Sequence, residues 1–508
     1  MKYYLGIDNG GTTTKAGIYT ADGKELGIAS MQTKMITPRP GFTERDMDEM
    51  WEANCKVIRA VLEKTAVDPA EIAGISCCGH GKGLYLWGKD NRPARRGIIS
   101  TDNRAWEYPV KWEKDGTAAK VFEKSYQNIM ACQPVALLAW LQDHEPQTMD
   151  QIQWIFECKD YVRFRLTGEA YAEITDYSGA NLMNLKTREY DDELLDLFGL
   201  GRIREMLPPL RNSTDVCGCI TKEVARQTGL AEGTPVAGGM FDIDACAIAV
   251  NAADEDHICM IAGTWSINEY IRKEAVLDGS VKMNSIFCMP DYYLIEESSA
   301  TSAGNNEWFI KTLLPELKEK AEAQGKSIFA VMDEAVASIP AKEFCPIFTP
   351  FLMASNVHPN AKASFVGMSN YHKREHLMRS IYEGIAFCHK YHLERLTASR
   401  LTRAKSIRLA GGVAHSDVWT QMFADIMQYP IEVVDVGETG TLGCAITVAV
   451  AVGDYAGFAD AAQHMITVRK VLQPNPENAA AYEAKYGMYR QVLTALDPIW
   501  DNMQKIMD

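Results

Sequence analysis

Tyr3-Tyr4-Leu5-Gly6-Ile7-Asp8-Asn9-Gly10-Gly11-Thr12-Thr13-Thr14-Lys15 is the stretch on which the fold turns. Tyr3 to Ile7 is a short apolar run ended by turn residues, which predicts a buried strand. Gly10-Gly11 reverses the chain, and Thr14 to Tyr19 predicts a second strand. Ala21-Asp22-Gly23 predicts a hairpin turn, and Glu25 to Gln32 a third strand. A helix begins only at Asp46, its N-cap, with Trp51, Cys55, Ile58 and Leu62 at helical spacing. Ile72 to Cys77 then predicts a buried strand. The sheet therefore opens with three consecutive strands, not with a strand–helix unit. The glycines free the backbone to approach phosphate, the threonines add donors, and Asp8 at a strand end suits a hydrated Mg²⁺. No GxxxxGK[ST] occurs in the chain, and a strand follows this loop, so it is not a P-loop. An ordinary tight hairpin fits the same residues equally well.

The pattern returns after residue 255. His257 to Ala262 and Ser266 to Arg272 predict strands around a Gly263-Thr264 turn. Further on, His376 to Ala398 predicts a long helix, Ser406 to Ala410 a strand, and Ser416 the cap of a helix reaching Met427. Ile431 to Val436 predicts a strand, Gly440 to Val452 a small-residue helix, and Pro476 to Asp508 a final helix. Alternating elements argue for an α/β fold. Two glycine turns half a chain apart suggest two related domains, 1–251 and 252–508, with the junction and a hinge near Asn251 to Asp256.

Composition narrows the function. The 508 residues carry 52 Lys and Arg against 67 Asp and Glu, a formal charge of −15, which disfavours nucleic acid. Asp8 interrupts the N-terminus before an export signal could form. The apolar run Leu442 to Val452 is about half of the roughly 20 residues a membrane span needs. The 13 cysteines include no CxxC, so neither zinc nor a disulfide framework is expected. The expectation is a reduced, cytoplasmic protein that engages neither membrane nor nucleic acid.

Three more segments carry chemistry. In Gly238-Gly239-Met240-Phe241-Asp242-Ile243-Asp244, two acids follow an apolar strand and glycines. A carboxylate there can serve as a general base, and either acid can equally be a helix N-cap. Leu409-Ala410-Gly411-Gly412-Val413 ends a strand before a capped helix and would let a flat ring lie on the backbone, or be a simple turn. Cys78-Gly79-His80-Gly81-Lys82-Gly83 and Thr101-Asp102-Asn103-Arg104 could hold sugar hydroxyls through charge-assisted bonds, although each charge alone reads as solvated surface.

Together these segments resemble the FGGY carbohydrate kinases, whose fold is the two-domain actin/hexokinase-like (ribonuclease H-like) α/β fold with an interdomain cleft. Gly6-Ile-Asp-Asn-Gly-Gly-Thr12 looks like the family's first phosphate loop. Ala363-Ser-Phe-Val-Gly-Met368 followed by His376-Leu-Met-Arg-Ser-Ile-Tyr-Glu383 matches its C-terminal signature. Gly411 to Gln421, Ala424-Asp425 and Glu438 to Ala445 resemble its adenosine segment, and Asp160 to Gly168 a stretch of its first domain. The resemblance implies an ATP- and Mg²⁺-dependent sugar kinase. It makes Asp242 the general base and Asp8 its partner at the hydrated Mg²⁺, with Asp244 behind them. It puts Thr12, Thr13 and Lys15 on the first phosphate loop and Gly263 and Thr264 on the second. Gly304 would approach the nucleotide phosphates, and Gly412, Val413 and Asn356 would flank adenosine. His80, Lys82, Asp102 and Arg104 would line the sugar pocket. Domain closure would exclude water. Dimers are frequent in the family, so a homodimer is the expected assembly.

The sequence departs from the family's xylulose and glycerol kinases, having neither Gln-Met-His-Gly nor an Arg-Glu pair at residues 79–82. Its Gly81-Lys82-Gly83 and Ser-Thr-Asp-Asn-Arg instead resemble the L-xylulose kinase branch. D-xylulose, ribulose, glycerol, erythritol and gluconate are the alternative substrates. An ATP-gated actin-like binding protein and a degenerate regulatory kinase are the rival readings.

Overall fold

A computed structural model of the chain describes residues 2–281, 283–353, 355 and 357–507. The chain forms two compact units. The first takes Met1–Ala253, Ile271–Ile295 and Val436–Thr467, and the second takes Asp254–Tyr270, Glu296–Asp435 and Val468–Asp508. The sequence suggested a single cut after residue 251. Two later segments instead rejoin the first unit, and the reason lies in the small-residue helix.

In the first unit, β1 (Tyr3–Asn9) pairs antiparallel with β2 (Thr13–Thr20), and β2 with β3 (Glu25–Gln32). A short β4 (Glu44–Arg45) leads into α1 (Met47–Thr65), whose N-cap Asp46 accepts the N–H groups of Asp48 and Glu49. Then β5 (Ile72–Gly79) runs parallel to β1. The sheet continues through Pro235–Ala237 and Val216–Cys219, while Met240–Phe241 pairs parallel with the end of β5. One face of β1 and β5 is apolar: Leu5, Ile7, Ile75 and Cys77 are buried in one core with the α1 residues Trp51, Ile58 and Leu62.

The helix Thr439–Ala451 packs on β1, β5 and the helix Asp242–Ala249. Gly440 is in contact with Asp8, so a Cβ built there would lie 2.7 Å from Asp8 Oδ2. Only small residues allow that approach, which assigns this late segment to the first unit.

The second unit repeats the strand logic. His257–Ala262 pairs antiparallel with Ser266–Arg272 and parallel with Ser406–Ala410, which pairs parallel with Ile431–Val434. Val468–Leu472 adds an antiparallel strand beyond it. The long helix Arg374–Ala398 buries most of its length, including His389 and His392. Ser416 caps Asp417–Met427 through the N–H of Trp419, as its sequence position suggested.

The C-terminal stretch differs from the single helix expected. Pro476–Leu496 is helical, with Tyr482, Tyr486, Tyr489 and Leu493 buried, but a 3₁₀ turn at Asp497–Ile499 separates it from a second helix, Trp500–Met507. Pro498 lacks the N–H needed to continue the first helix. Among the described residues no helix is long and apolar enough to cross a membrane. All thirteen cysteines are free thiols.

Candidate active site

Three parallel strand ends bring the acids of the first unit together. Asp8 is opposite Cys78 in the β1–β5 register, and Phe241 is opposite Gly79. Asp242 follows immediately as the first residue of its helix. Groups at the carboxyl ends of parallel strands are the ones an α/β sheet presents to ligands. Phe241 holds the N-cap position and makes no side-chain cap bond, so Asp242 and Asp244 are both first-turn acids and the cap alternative falls away.

Both strand-end acids are held above the ordinary carboxylate range. Burial raises Asp242 most, and the nearby charges of Asp8 and Asp176 raise it further, while Lys82 opposes them. Burial also raises Asp8 most, with Lys15 and the Cys78 thiol pulling the other way and Glu438 adding to the rise. The Cys78 S–H donates to Asp8 Oδ1 at 3.5 Å. Lys15 forms an ion pair with Glu438 at 2.6 Å. Thr12 is exposed and Thr13 half-buried on the turn, whereas Thr14 is buried and donates to Asn9 Oδ1 at 3.2 Å.

Beneath Asp242 is a charged network that the sequence reading passed over. Lys159 is fully buried and meets Asp176 at 2.6 Å, Glu173 at 3.2 Å and Asp160 at 3.4 Å. Arg163 pairs with Asp160 at 2.8 Å. Glu173 also accepts the hydroxyls of Thr175 and Ser213, both at 2.7 Å, and Thr175 in turn accepts the Phe241 N–H at 2.9 Å. The backbone that carries Asp242 is thus tied to a buried ion cluster. Asp176 is pushed up to about 7, mainly by burial, and its Oδ1 has no hydrogen-bond partner. Glu157 Oε1 is likewise unpartnered, while its other oxygen accepts the Lys82 N–H at 2.8 Å. Asp244 is fully buried, and one of its oxygens accepts the Cys288 N–H at 2.9 Å.

The four residues expected around the sugar separate into two groups. Asp102 and Arg104 are buried and bound to each other. Asp102 Oδ1 accepts Arg104 N–H and Nε–H, and its Oδ2 accepts Arg104 Nη2–H at 2.9 Å and the Thr43 N–H at 2.7 Å. Arg104 also reaches Glu44 at 2.9 Å, and its guanidinium stacks on Phe42 at 4.3 Å. Four bonds fill the lone-pair capacity of a carboxylate. His80 is also engaged, with Nε2 at 2.8 Å from Tyr85 Oη and Nδ1 at 3.3 Å from the Gly81 carbonyl. Burial drives its pKa down to about 3, so it is neutral. Lys82 is half-buried in the left-handed conformation at φ 64°, and its ammonium lies 5.7 Å from the centre of the Phe241 ring, next to Asp242.

In the second unit, Gly263 and Gly412 have open space where a Cβ would project. Thr264 is exposed, and Gly304 begins the helix Gly304–Leu313, where an added Cβ would come within 3.7 Å of Thr264. Val413 is buried and lies in a short 3₁₀ turn, Gly412–His415, before the Ser416 cap. Its side chain is therefore turned to the core, leaving its backbone. His389 joins two of these loops: Ser302 Oγ is 2.8 Å from its Nε2, and Ser266 Oγ 3.1 Å from its Nδ1. Asn356 lies outside the described residues.

The family model "FGGY family of carbohydrate kinases, N-terminal domain" matches residues 3–249, and the corresponding C-terminal domain model matches residues 258–452. The chain belongs to the FGGY family of carbohydrate kinases. It is 36% identical over 497 residues to the L-xylulose/3-keto-L-gulonate kinase of Escherichia coli K12, covering 97% of each chain. It is also 36% identical to a Pasteurella multocida protein named as a probable L-xylulose kinase, covering 98% of this chain and 99% of that one. A ligand-bound xylulose kinase from Lactobacillus acidophilus has the same fold, with TM-score 0.87, 26% identity, and coverage of 99% and 100% of the two chains. The protein is therefore a sugar kinase of a family that uses ATP as phosphate donor, acting on a small-molecule sugar.

Proposed function

We propose that this FGGY kinase transfers the γ-phosphate of ATP to a terminal hydroxyl of a ketopentose, with L-xylulose as its substrate. The observation that carries the substrate is the 36% identity over nearly the whole length of chains named for L-xylulose. Asp242 is the proposed base. Its raised proton affinity suits it to accept the hydroxyl proton as the phosphoryl group departs from ADP. A carboxylate whose pKa is raised is a stronger base.

Mg²⁺ fits the site. The Asp8 charge raises the proton affinity of Asp242, and a divalent cation relieves that repulsion. Asp8 and Asp242 would hold it, through water on the Asp8 side, and the ion would neutralise phosphate charge. Thr12, Thr13 and Lys15 are the proposed first phosphate loop, Gly263, Thr264 and Gly304 the second, and Gly412 with the Val413 backbone the adenosine floor. Asn356 is retained as an adenosine neighbour from the family pattern alone.

For the sugar, Lys82 and Asp242 are the proposed direct contacts. Asp102, Arg104 and His80 shape the wall, because their hydrogen-bonding groups are already committed. A second reading, an acidic sugar such as 3-keto-L-gulonate, is favoured by one observation: the Lys82 ammonium sits beside Phe241, where a sugar carboxylate could meet it. A homodimer and a cytoplasmic location follow the family pattern.

The test is ADP release in a coupled assay with Mg-ATP and L-xylulose, D-xylulose, the ribuloses, 3-keto-L-gulonate, gluconate, glycerol and erythritol. The proposal expects the highest kcat/KM on L-xylulose. A higher kcat/KM on a polyol or an aldonate would replace it.

A further inference from the structure

Arg45 is the buried cation that the assignments above leave unexplained. It is 1% exposed, among the largest fully buried side chains. The acid next to it is committed elsewhere: Glu44 pairs with Arg95 and Arg104. Among the described residues no carboxylate forms an ion pair with Arg45, and its Nε and Nη1 have no hydrogen-bond partner. A guanidinium cannot shed its proton, so such a charge is costly to bury unless something outside the side-chain network compensates it. Its one anchored nitrogen is informative. Nη2 donates to the carbonyl of Gly10 at 3.1 Å and to the carbonyl of Gly11. The position is fixed from both sides, by the pairing of Arg45 with Gly97 and by the Asp46 cap of α1.

Peptide geometry then dictates where the loop's donors point. In a planar trans peptide the N–H of the next residue is opposite the carbonyl. Drawing the Gly10 and Gly11 carbonyls onto Arg45 turns the N–H groups of Gly11 and Thr12 the other way, out of the loop. Two outward N–H groups backed by a positive charge form a site for an anionic oxygen. We propose that Arg45 is the positioning residue of the first phosphate loop, holding the Gly10 and Gly11 carbonyls so that the Gly11 and Thr12 N–H groups face a phosphoryl group of the nucleotide. This rests on the reading of residues 9–13 as a phosphate loop.

The experiment compares wild type, Arg45→Met and Arg45→Gln in kcat, in both KM values, and in ADP binding by calorimetry without sugar. Arg45→Met removes the donors and the charge. It should lower kcat/KM for ATP roughly 100-fold, the scale of losing precise positioning, and weaken ADP roughly 10-fold. The KM for sugar should stay within about twofold, which a general loss of structure would not respect. Arg45→Gln restores a donor to the carbonyls and should recover at least part of the loss. Wild-type nucleotide constants in a folded Arg45→Met, or a loss confined to sugar KM, would overturn the proposal. Should Arg45→Met fail to fold, Arg45→Gln decides: weaker ADP with unchanged sugar KM supports it, and wild-type ADP binding overturns it. Wild type without sugar-dependent turnover would sink the kinase reading instead, while the calorimetry would still score Arg45.

Discussion

Gly440→Ala isolates the role of Asp8 with one methyl group. Carbon atoms pack best at about 3.5–4.0 Å. The new Cβ would lie 2.8 Å from Asp8 Cγ and 2.7 Å from its Oδ2, so the carboxylate must retreat by about 0.7 Å or more. It cannot do so freely, because β1 is paired on both sides, to β2 and to β5. A misplacement of about 1 Å at a reacting centre costs roughly 100-fold in rate, so kcat should fall roughly 10- to 100-fold. Stability should change little, since alanine favours a helix over glycine by about 1 kcal/mol and offsets part of the strain. Gly487→Ala is the matched control. It lies inside the helix Pro476–Leu496 with nothing within 4 Å of its Cβ position. That variant should gain about 0.5–1 kcal/mol and keep wild-type kcat. The assay is steady-state ADP release beside urea unfolding for both variants. Wild-type kcat in Gly440→Ala would refute the placement of Asp8 in the chemistry.

Three further outcomes are expected. Lys82→Met should raise sugar KM roughly 10-fold without changing ADP affinity, and the loss should be larger for an acidic sugar than for a pentulose; equal losses would set aside the second reading. His389 is held at about 3, below its ordinary 6.5, by burial and by His392. The unfolded chain therefore binds a proton between those values that the folded chain does not, and the stability His389 supports is full above 6.5 and lost as pH falls toward 3. The difference in unfolding free energy between wild type and His389→Asn should shrink by about 1 kcal/mol per pH unit below pH 6, and a pH-independent difference would contradict it. Finally, Asp242 is raised above the ordinary carboxylate range, so kcat/KM should fall on the acid side at a pH well above 4, checked by a pH–rate profile.

The parts legible in the sequence are those encoded by local pattern. The three opening strands, the Asp46 cap and the α1 face follow from apolar spacing and from one capping residue, and all are observed. The caps at Asp46 and Ser416 held because an acceptor side chain at the right position is enough. The alternative cap at Asp242 did not, because Phe241 occupies the N-cap and the acid falls one residue inside the helix. Pattern reading also takes charged residues as solvated. That rule hid Lys159, Arg163, Asp176 and Arg45, all of them buried, with Lys159 held by Asp176 and Arg45 by the main chain of the first loop. It likewise left Asp102 and Arg104 as free ligands for a sugar, when long-range bonds to Thr43 and Glu44 close them into a ring. The division of the chain into units was out of reach for a related reason. Close packing such as that of Gly440 on Asp8, which no local pattern encodes, places residues 436–467 with the first strands.

The central claim is that Asp242 serves phosphoryl transfer from ATP to a ketopentose. Its most direct test follows the phosphorus itself, by ³¹P NMR of wild type and Asp242→Asn incubated with Mg-ATP and L-xylulose. Wild type should convert the γ-phosphate signal into a phosphomonoester of the sugar, with ADP formed in equal amount. Asp242→Asn should form none at matched protein concentration while still binding ADP. Inorganic phosphate in place of a sugar ester, or an ester formed equally well by Asp242→Asn, would contradict the account.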